Sequence, residues 1–148
     1  MRGYAAIALY NPKNNINIGS ALRAAGCYGA SMVVCGGSRR AYRKAPTDTM
    51  ASHKHLPLLL VDELRSVIPY DCVPVAIDLL EGATPLQDYK HPERAFYVFG
   101  PEDGTLGART LEWCRDKVYV PTNGCMNLAA CVNVILWDRM SKQLRRAV

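Results

Sequence analysis

Three short stretches hold the residue types from which a site could be built. In the first, Asn17-Ile-Gly19-Ser-Ala-Leu-Arg23, a carboxamide, a position without a side chain and a guanidinium fall within seven residues. On a helix, Arg23 lies less than two turns beyond Asn17, and Gly19 lets backbone come close to a partner. Arg23 sits among apolar residues, which predicts partial burial and therefore an anionic partner. That partner is either Glu102 or Asp103 within the chain, or a phosphate from outside. The second stretch, Gly100-Pro-Glu-Asp-Gly104, follows an apolar run and offers an acid that either caps the next helix or orients a substrate. In the third, Cys125, Met126 and Asn127 follow Gly124 in a turn before a long amphipathic segment. Their side chains are small or polar, with no lysine and no acid to hold a phosphate or a metal.

Several chemistries are excluded by what the sequence lacks. There is no GxGxxG after an apolar run and no GxxxxGK[ST], which counts against a dinucleotide or nucleoside-triphosphate site. None of the three histidines stands where a Ser-His-Asp set needs one. The six cysteines form no CxxC pair and no metal-ligand spacing, so no metal is expected. Four lie in apolar runs and read as reduced core residues of a cytoplasmic protein. Lys plus Arg number 18 against 13 Asp plus Glu, a net charge of +5 that suits an anionic partner such as RNA. Ser38-Arg-Arg-Ala-Tyr-Arg-Lys44 puts Arg39, Arg40, Arg43 and Lys44 around one tyrosine, as a solvated loop or as an RNA backbone contact. No run reaches membrane-spanning length, and Met1-Arg-Gly-Tyr leads straight into a strand rather than a signal sequence.

The elements that must position these residues alternate. Apolar runs at Tyr4–Tyr10, Met32–Gly36, Val73–Asp78 and Ala95–Gly100 are nearly continuous, the pattern of strands buried on both faces. Shorter strands are expected at 58–61 and 117–121. Helical spacing runs from about Asn17 to Tyr28, with Ile18, Ala21, Leu22 and Ala25 on one face. A short helix is expected over 106–114. A long final helix has Asn127 as its N-cap, and Leu128, Val132, Ile135 and Met140 recur along it. Trp137, Met140 and Leu144 extend this stripe and are expected to pack in the core, or in part at a subunit interface. The stretch 46–57 shows no clear periodicity. Strand–helix alternation over 148 residues predicts a single α/β domain, a mostly parallel sheet flanked by helices.

The ordered trio Asn17-x-Gly19-x-x-x-Arg23, Phe99-Gly-Pro-Glu102 and Val120-Pro…Cys-Met-Asn-Leu128 resembles motifs one to three of the SpoU–TrmH class. These are RNA ribose 2′-O-methyltransferases of the SPOUT superfamily. The match spans nearly the whole chain, and in its small size the chain is similar to the minimal TrmL-like members, which modify the tRNA wobble ribose.

The resemblance implies a C-terminal deep trefoil knot, a homodimer whose sites are completed across the interface, and S-adenosylmethionine as cofactor, leaving as S-adenosylhomocysteine. It would place Asp78, Leu79, Gly100, Pro101, Glu102, Val120, Cys125, Met126 and Leu128 around the cofactor, and Asn17, Arg23 and Asn127 around the reacting ribose. Arg23 would hold a phosphate as well as stabilise the developing alkoxide. The chain departs from the usual Gly-x-Glu-x-x-Gly-Leu by carrying Thr105 in the second glycine's place, and it has Cys125 where serine is usual. A catalytically silent RNA-binding module, an rRNA-directed enzyme and an unrelated flavodoxin-like protein are the alternative readings.

Overall fold

Burial on both faces is what turns the apolar runs into a sheet. A computed structural model describes residues 3–148; Met1 and Arg2, read as leading straight into the first strand, lie outside the described residues. The strands are β1 (Tyr4–Tyr10), β2 (Met32–Gly36), β3 (Leu58–Val61), β4 (Val73–Ile77), β5 (Thr84–Pro85), β6 (Arg94–Phe99) and β7 (Asp116–Tyr119). The helices are α1 (Asn15–Cys27), α2 (Ala108–Trp113) and α3 (Leu128–Arg146). All seven strands form one sheet in the order β3-β2-β1-β6-β4-β7-β5, and every pairing is parallel. β1 and β6 lie at the centre, buried except at their ends, and every residue of β2 beside them is buried. Alternate residues sort into two layers. Ile7, Leu9, Tyr97 and Phe99 face α1 and α3, while Ala6, Ala8, Phe96 and Val98 face Leu64, Leu106 and Cys114.

Several boundaries and environments differ from the sequence reading. α1 starts two residues early, because Asn14 accepts from the Ile16 N–H at 2.9 Å and caps it. The featureless stretch 46–57 is organised by one acid: buried Asp48 accepts from Ser52 N at 2.8 Å and pairs with His53 Nδ1 at 3.0 Å. Gly19 does allow a close approach, but by the chain itself, since a Cβ there would lie 2.5 Å from Thr47 Oγ1 and 2.7 Å from Ala45 Cβ. Trp137 and Leu144 are not core residues, being 53% and 52% exposed. The buried face of α3 carries Leu128, Val132, Ile135, Leu136 and Arg139, and Trp137 is turned about 200° from Ile135. Its ring lies beside that of Tyr28, with centroids 6.5 Å apart.

Below the sheet's centre α3 is locked to the entry of β6 by polar groups. Arg139, 6% exposed, donates to the carbonyls of Pro92 at 2.6 Å and Glu93 at 2.8 Å. Its Nη1 also donates to Tyr97 Oη, 3.3 Å away. His91 Nδ1 lies 2.7 Å from Tyr97 Oη, and Nε2 lies 2.8 Å from Asp138 Oδ2, which Lys142 also pairs at 2.7 Å. A carboxylate only accepts, so Nε2 carries the proton, and Tyr97 donates to a neutral Nδ1. Burial favours this neutral form and lowers the His91 pKa to about 4 against the pull of Asp138.

The linkage has a definite sign. The unfolded chain protonates His91 below pH 6.5, whereas the folded chain resists until about pH 4. Stability from this group is therefore full above pH 6.5 and falls by on the order of 3 kcal/mol as pH drops through the window. Urea denaturation between pH 7 and 4 should show this slope and should lose it in His91→Gln. The hydrogen-bonded carboxylates Asp48, Glu102 and Asp116 have lowered pKa values, so their losses come at lower pH.

Candidate functional site

The loops that leave the C-terminal ends of β1, β4, β6 and β7 converge at one edge of the sheet, where parallel α/β proteins hold ligands. A chain of side-chain hydrogen bonds joins three of them. Asn17 Nδ2 donates to Glu102 Oε2 at 3.0 Å, and Asn17 Oδ1 accepts from Asn127 Nδ2 at 3.0 Å. Asn127 Oδ1 in turn accepts from the N–H groups of Ala129 (2.9 Å) and Ala130 (3.1 Å), capping α3. The polarity of this chain is fixed from one end. Glu102 as a carboxylate only accepts, so Asn17 must offer it the NH2 group, which leaves its oxygen for Asn127. Asn127 must then present its own NH2, which frees its oxygen for the helix end.

Glu102 closes the circuit by accepting from the N–H of Lys13 at 3.0 Å and of Asn14 at 2.8 Å. Partial burial works against its charge, but the donors from Lys13, Asn17 and Asn14 outweigh it and hold its pKa below the ordinary range. Asp78, at the exit of β4, is used similarly. It accepts from Leu79 N at 2.8 Å and from Leu106 N at 3.1 Å, tying its loop to the one that follows β6.

These loops enclose an open cleft of about 870 Å³. Asp78, Leu79, Gly100, Pro101, Glu102, Val120, Cys125, Met126 and Leu128 all line it. Sequence reasoning missed Tyr119, Thr122, Asn123 and Cys131, which line it too. Cys131 follows Leu128 by one helical turn, the spacing that would have found it. Burial pushes its thiol up to about 11, so it faces the cleft uncharged.

The charge of the lining is one-sided. Among the described residues its only carboxylic acids are Asp78 and Glu102, and it contains no lysine, arginine or histidine. Apolar walls from Leu79, Pro101, Val120, Met126 and Leu128 surround them. A phosphate would meet no cation here. A ligand with a cationic sulfonium and amino group, an adenine ring and a ribose fits both the volume and the chemistry, and S-adenosylmethionine is such a ligand.

Arg23 is placed differently from its sequence expectation. It is exposed and makes no ion pair among the described residues. On α1 it belongs to the outward stripe Ile16, Ser20, Arg23, Cys27, four and three residues apart. Neither candidate acid is free for it: Glu102 serves the 13–17 segment, and Asp103 takes two hydrogen bonds from Arg39 that hold its pKa at about 2. The basic loop is also divided. Arg39 and Arg40 are paired with Asp103 and Asp62, whereas Arg43 and Lys44 are exposed. The backbone of Arg43 exchanges two hydrogen bonds with the side chain of Asn15, which seats these cations beside the start of α1.

Residues 4–137 match the family described as the SpoU rRNA Methylase family, and the chain belongs to it. Solved structures share its fold. The SpoU methyltransferase AviRb from Streptomyces viridochromogenes, in complex with the cofactor AdoMet, superposes with a TM-score of 0.82 at 20% identity. That match covers 98% of this chain and 62% of AviRb, so the chain spans about three fifths of that protein. The TrmH/SpoU tRNA modifying enzyme of A. aeolicus gives 0.85 at 16% identity, covering 97% and 77%. A structure described by the 2-OH methylation of C/U34 on tRNA gives 0.81 at 19% identity, covering 97% of this chain and 99% of its own. No curated protein matches the chain.

Glu102→Gln supplies an NH2 where amide donors now converge. It should destabilise the protein by about 1–2 kcal/mol and speed amide exchange at Lys13 and Asn14, measured by denaturation and by NMR. Unchanged exchange would mean that Glu102 does not order that segment.

Proposed function

We propose that the protein transfers a methyl group from S-adenosylmethionine to a ribose 2′-oxygen of RNA. The observation that carries this reading is a cation-free, acid-containing cleft lined by residues of the second and third motifs and braced by Asn17 of the first, in a member of the SpoU family. Bound there, S-adenosylmethionine would supply an electrophilic methyl group on a positively charged sulfur: the O–CH3 bond forms as the S–CH3 bond breaks, S-adenosylhomocysteine leaves, and the hydroxyl proton passes to solvent. The acids Asp78 and Glu102 favour that positive charge. Both are already hydrogen-bonded, so their part is electrostatic, and the donors around Glu102 hold it in its charged form.

The chain's other task is to align and activate a weak nucleophile. Arg23 holds the neighbouring phosphate and stabilises the developing alkoxide through its charge, since arginine is not deprotonated in proteins. Asn17 spends its carboxamide on Glu102 and Asn127, so it acts by positioning. Asn127 keeps one N–H for the ribose region. Arg43 and Lys44, exposed beside the start of α1, contact the RNA backbone.

The working form is a homodimer, each site completed by the partner. Exposed Ile16, Trp137 and Leu144 on α1 and α3 support this, because a monomer gains nothing from leaving them in water. Arg23 shares the face of Ile16 and so lies toward a second copy. The C-terminal segment is knotted. In support, β7 pairs beyond β4 while α3 returns to pack on α1.

Transfer RNA is the favoured substrate, at the wobble ribose, because the chain matches in full length a structure concerned with position 34. The family's description favours rRNA as the second reading. No helix among the described residues is long and apolar enough to cross a membrane, and the free thiols suit a reducing cytoplasm.

Methyl-labelled cofactor incubated with bulk tRNA or ribosomal RNA should leave label in alkali-resistant dinucleotides, the mark of a blocked 2′-oxygen. Label in bases alone would contradict the reaction. Arg23→Ala should lower kcat about 100-fold or more while cofactor affinity holds. Wild-type turnover in that variant would remove Arg23 from the chemistry.

A further inference from the structure

Arg39 belongs to the basic loop, yet its guanidinium is turned inward to the site's scaffold. Nη1 and Nη2 donate to the two oxygens of Asp103 at 2.8 and 2.7 Å, a bidentate fork. Nη2 and Nε also donate to the carbonyl of Asn11, at 2.7 and 3.2 Å. The Arg39 backbone N–H donates to Asn11 Oδ1 at 2.8 Å. Asn11 closes β1 with φ of 51°, a left-handed conformation that asparagine tolerates better than most residues. Its own N–H donates to Gly36 O at 2.7 Å. One side chain therefore joins the ends of β1 and β2 to the loop that follows β6.

Asp103 is the residue after Glu102. Whatever fixes Asp103 limits where the Glu102 carboxylate can stand against Lys13, Asn14 and Asn17. We propose that Arg39 is a positioning residue for the methyl-transfer site, acting through Asp103 to set Glu102 and the mouth of the cleft, and that it is not an RNA contact. This rests on the proposed function for its consequence in catalysis, but the coupling itself is a property of the fold.

The two roles predict opposite behaviour for the two partners. As a clamp, Arg39→Gln and Asp103→Asn remove the same joint. Each should speed amide exchange at Lys13 and Asn14 and weaken S-adenosylmethionine binding, by about tenfold if one charged hydrogen-bond pair is lost. The double variant should be no worse than either single one. Arg39→Lys keeps the charge without the planar fork and should fall between. RNA affinity should keep the wild-type dependence on salt in all of them.

As an RNA contact, Arg39→Gln would flatten that salt dependence by about one phosphate's worth, Asp103→Asn would tighten RNA binding, and exchange would not change. That pattern overturns the proposal. So does unchanged exchange with unchanged cofactor affinity. Should the wild-type protein bind no S-adenosylmethionine, the functional reading fails, and the exchange rates at Lys13 and Asn14 still decide the clamp. Should Arg39→Gln not fold, Asp103→Asn and Arg39→Lys carry the same comparison.

Discussion

The carboxamide of Asn17 is the contact on which the site depends. It is nearly buried, and its two ends face groups of opposite demand: an acid that only accepts and an amide obliged to donate. A single residue on α1 thereby fixes the loop after β6 and the start of α3, elements 85 and 110 residues away in sequence. No other common side chain of that size offers a donor and an acceptor in this fixed geometry. Aspartate would place a second negative charge against Glu102, and leucine would leave both partners unsatisfied. The cleft is therefore a consequence of hydrogen-bond matching between loops, laid over a sheet that hydrophobic burial has already assembled.

Much of this architecture was legible from residue patterns. Continuous apolar runs marked the strands buried on both faces, and the three motif stretches lie together at one edge of the sheet. Legibility failed where local pattern and spatial role part company. β5 is two residues long and has no periodicity to read. The 46–57 segment is held by the Asp48 carboxylate, whose contacts to Ser52 and His53 leave no repeating signal. Arg23 was placed among apolar neighbours because Leu22 and Ala24 flank it. On a helix its neighbours are instead Ser20 and Cys27, and those face outward. Trp137 misled for the same reason, since an apolar residue can extend a stripe in sequence while standing on the opposite face. Arg39 gave no hint of its partner, because an arginine in a basic run looks the same whether it meets an acid or solvent.

Charge is distributed to match two ligands of opposite sign. The cleft holds acids and no bases, while exposed Lys13, Arg43 and Lys44 lie on the segments beside it, on a chain of net charge +5. Under the proposed function the cationic cofactor and the anionic RNA approach one point from different sides, each through potential of the favourable sign. The pairing of Arg39 and Arg40 with acids keeps the interior of this boundary neutral, so that only the outer cations are left to meet phosphate.

The central claim is that these loops form a preassembled cofactor site. Its most direct test is calorimetric titration of the purified protein with S-adenosylmethionine and S-adenosylhomocysteine, with and without bulk tRNA, and with light scattering on the same sample. The account predicts saturable binding of one ligand per chain by a dimer. Absence of heat at millimolar ligand, with RNA present as well as without it, would contradict the account.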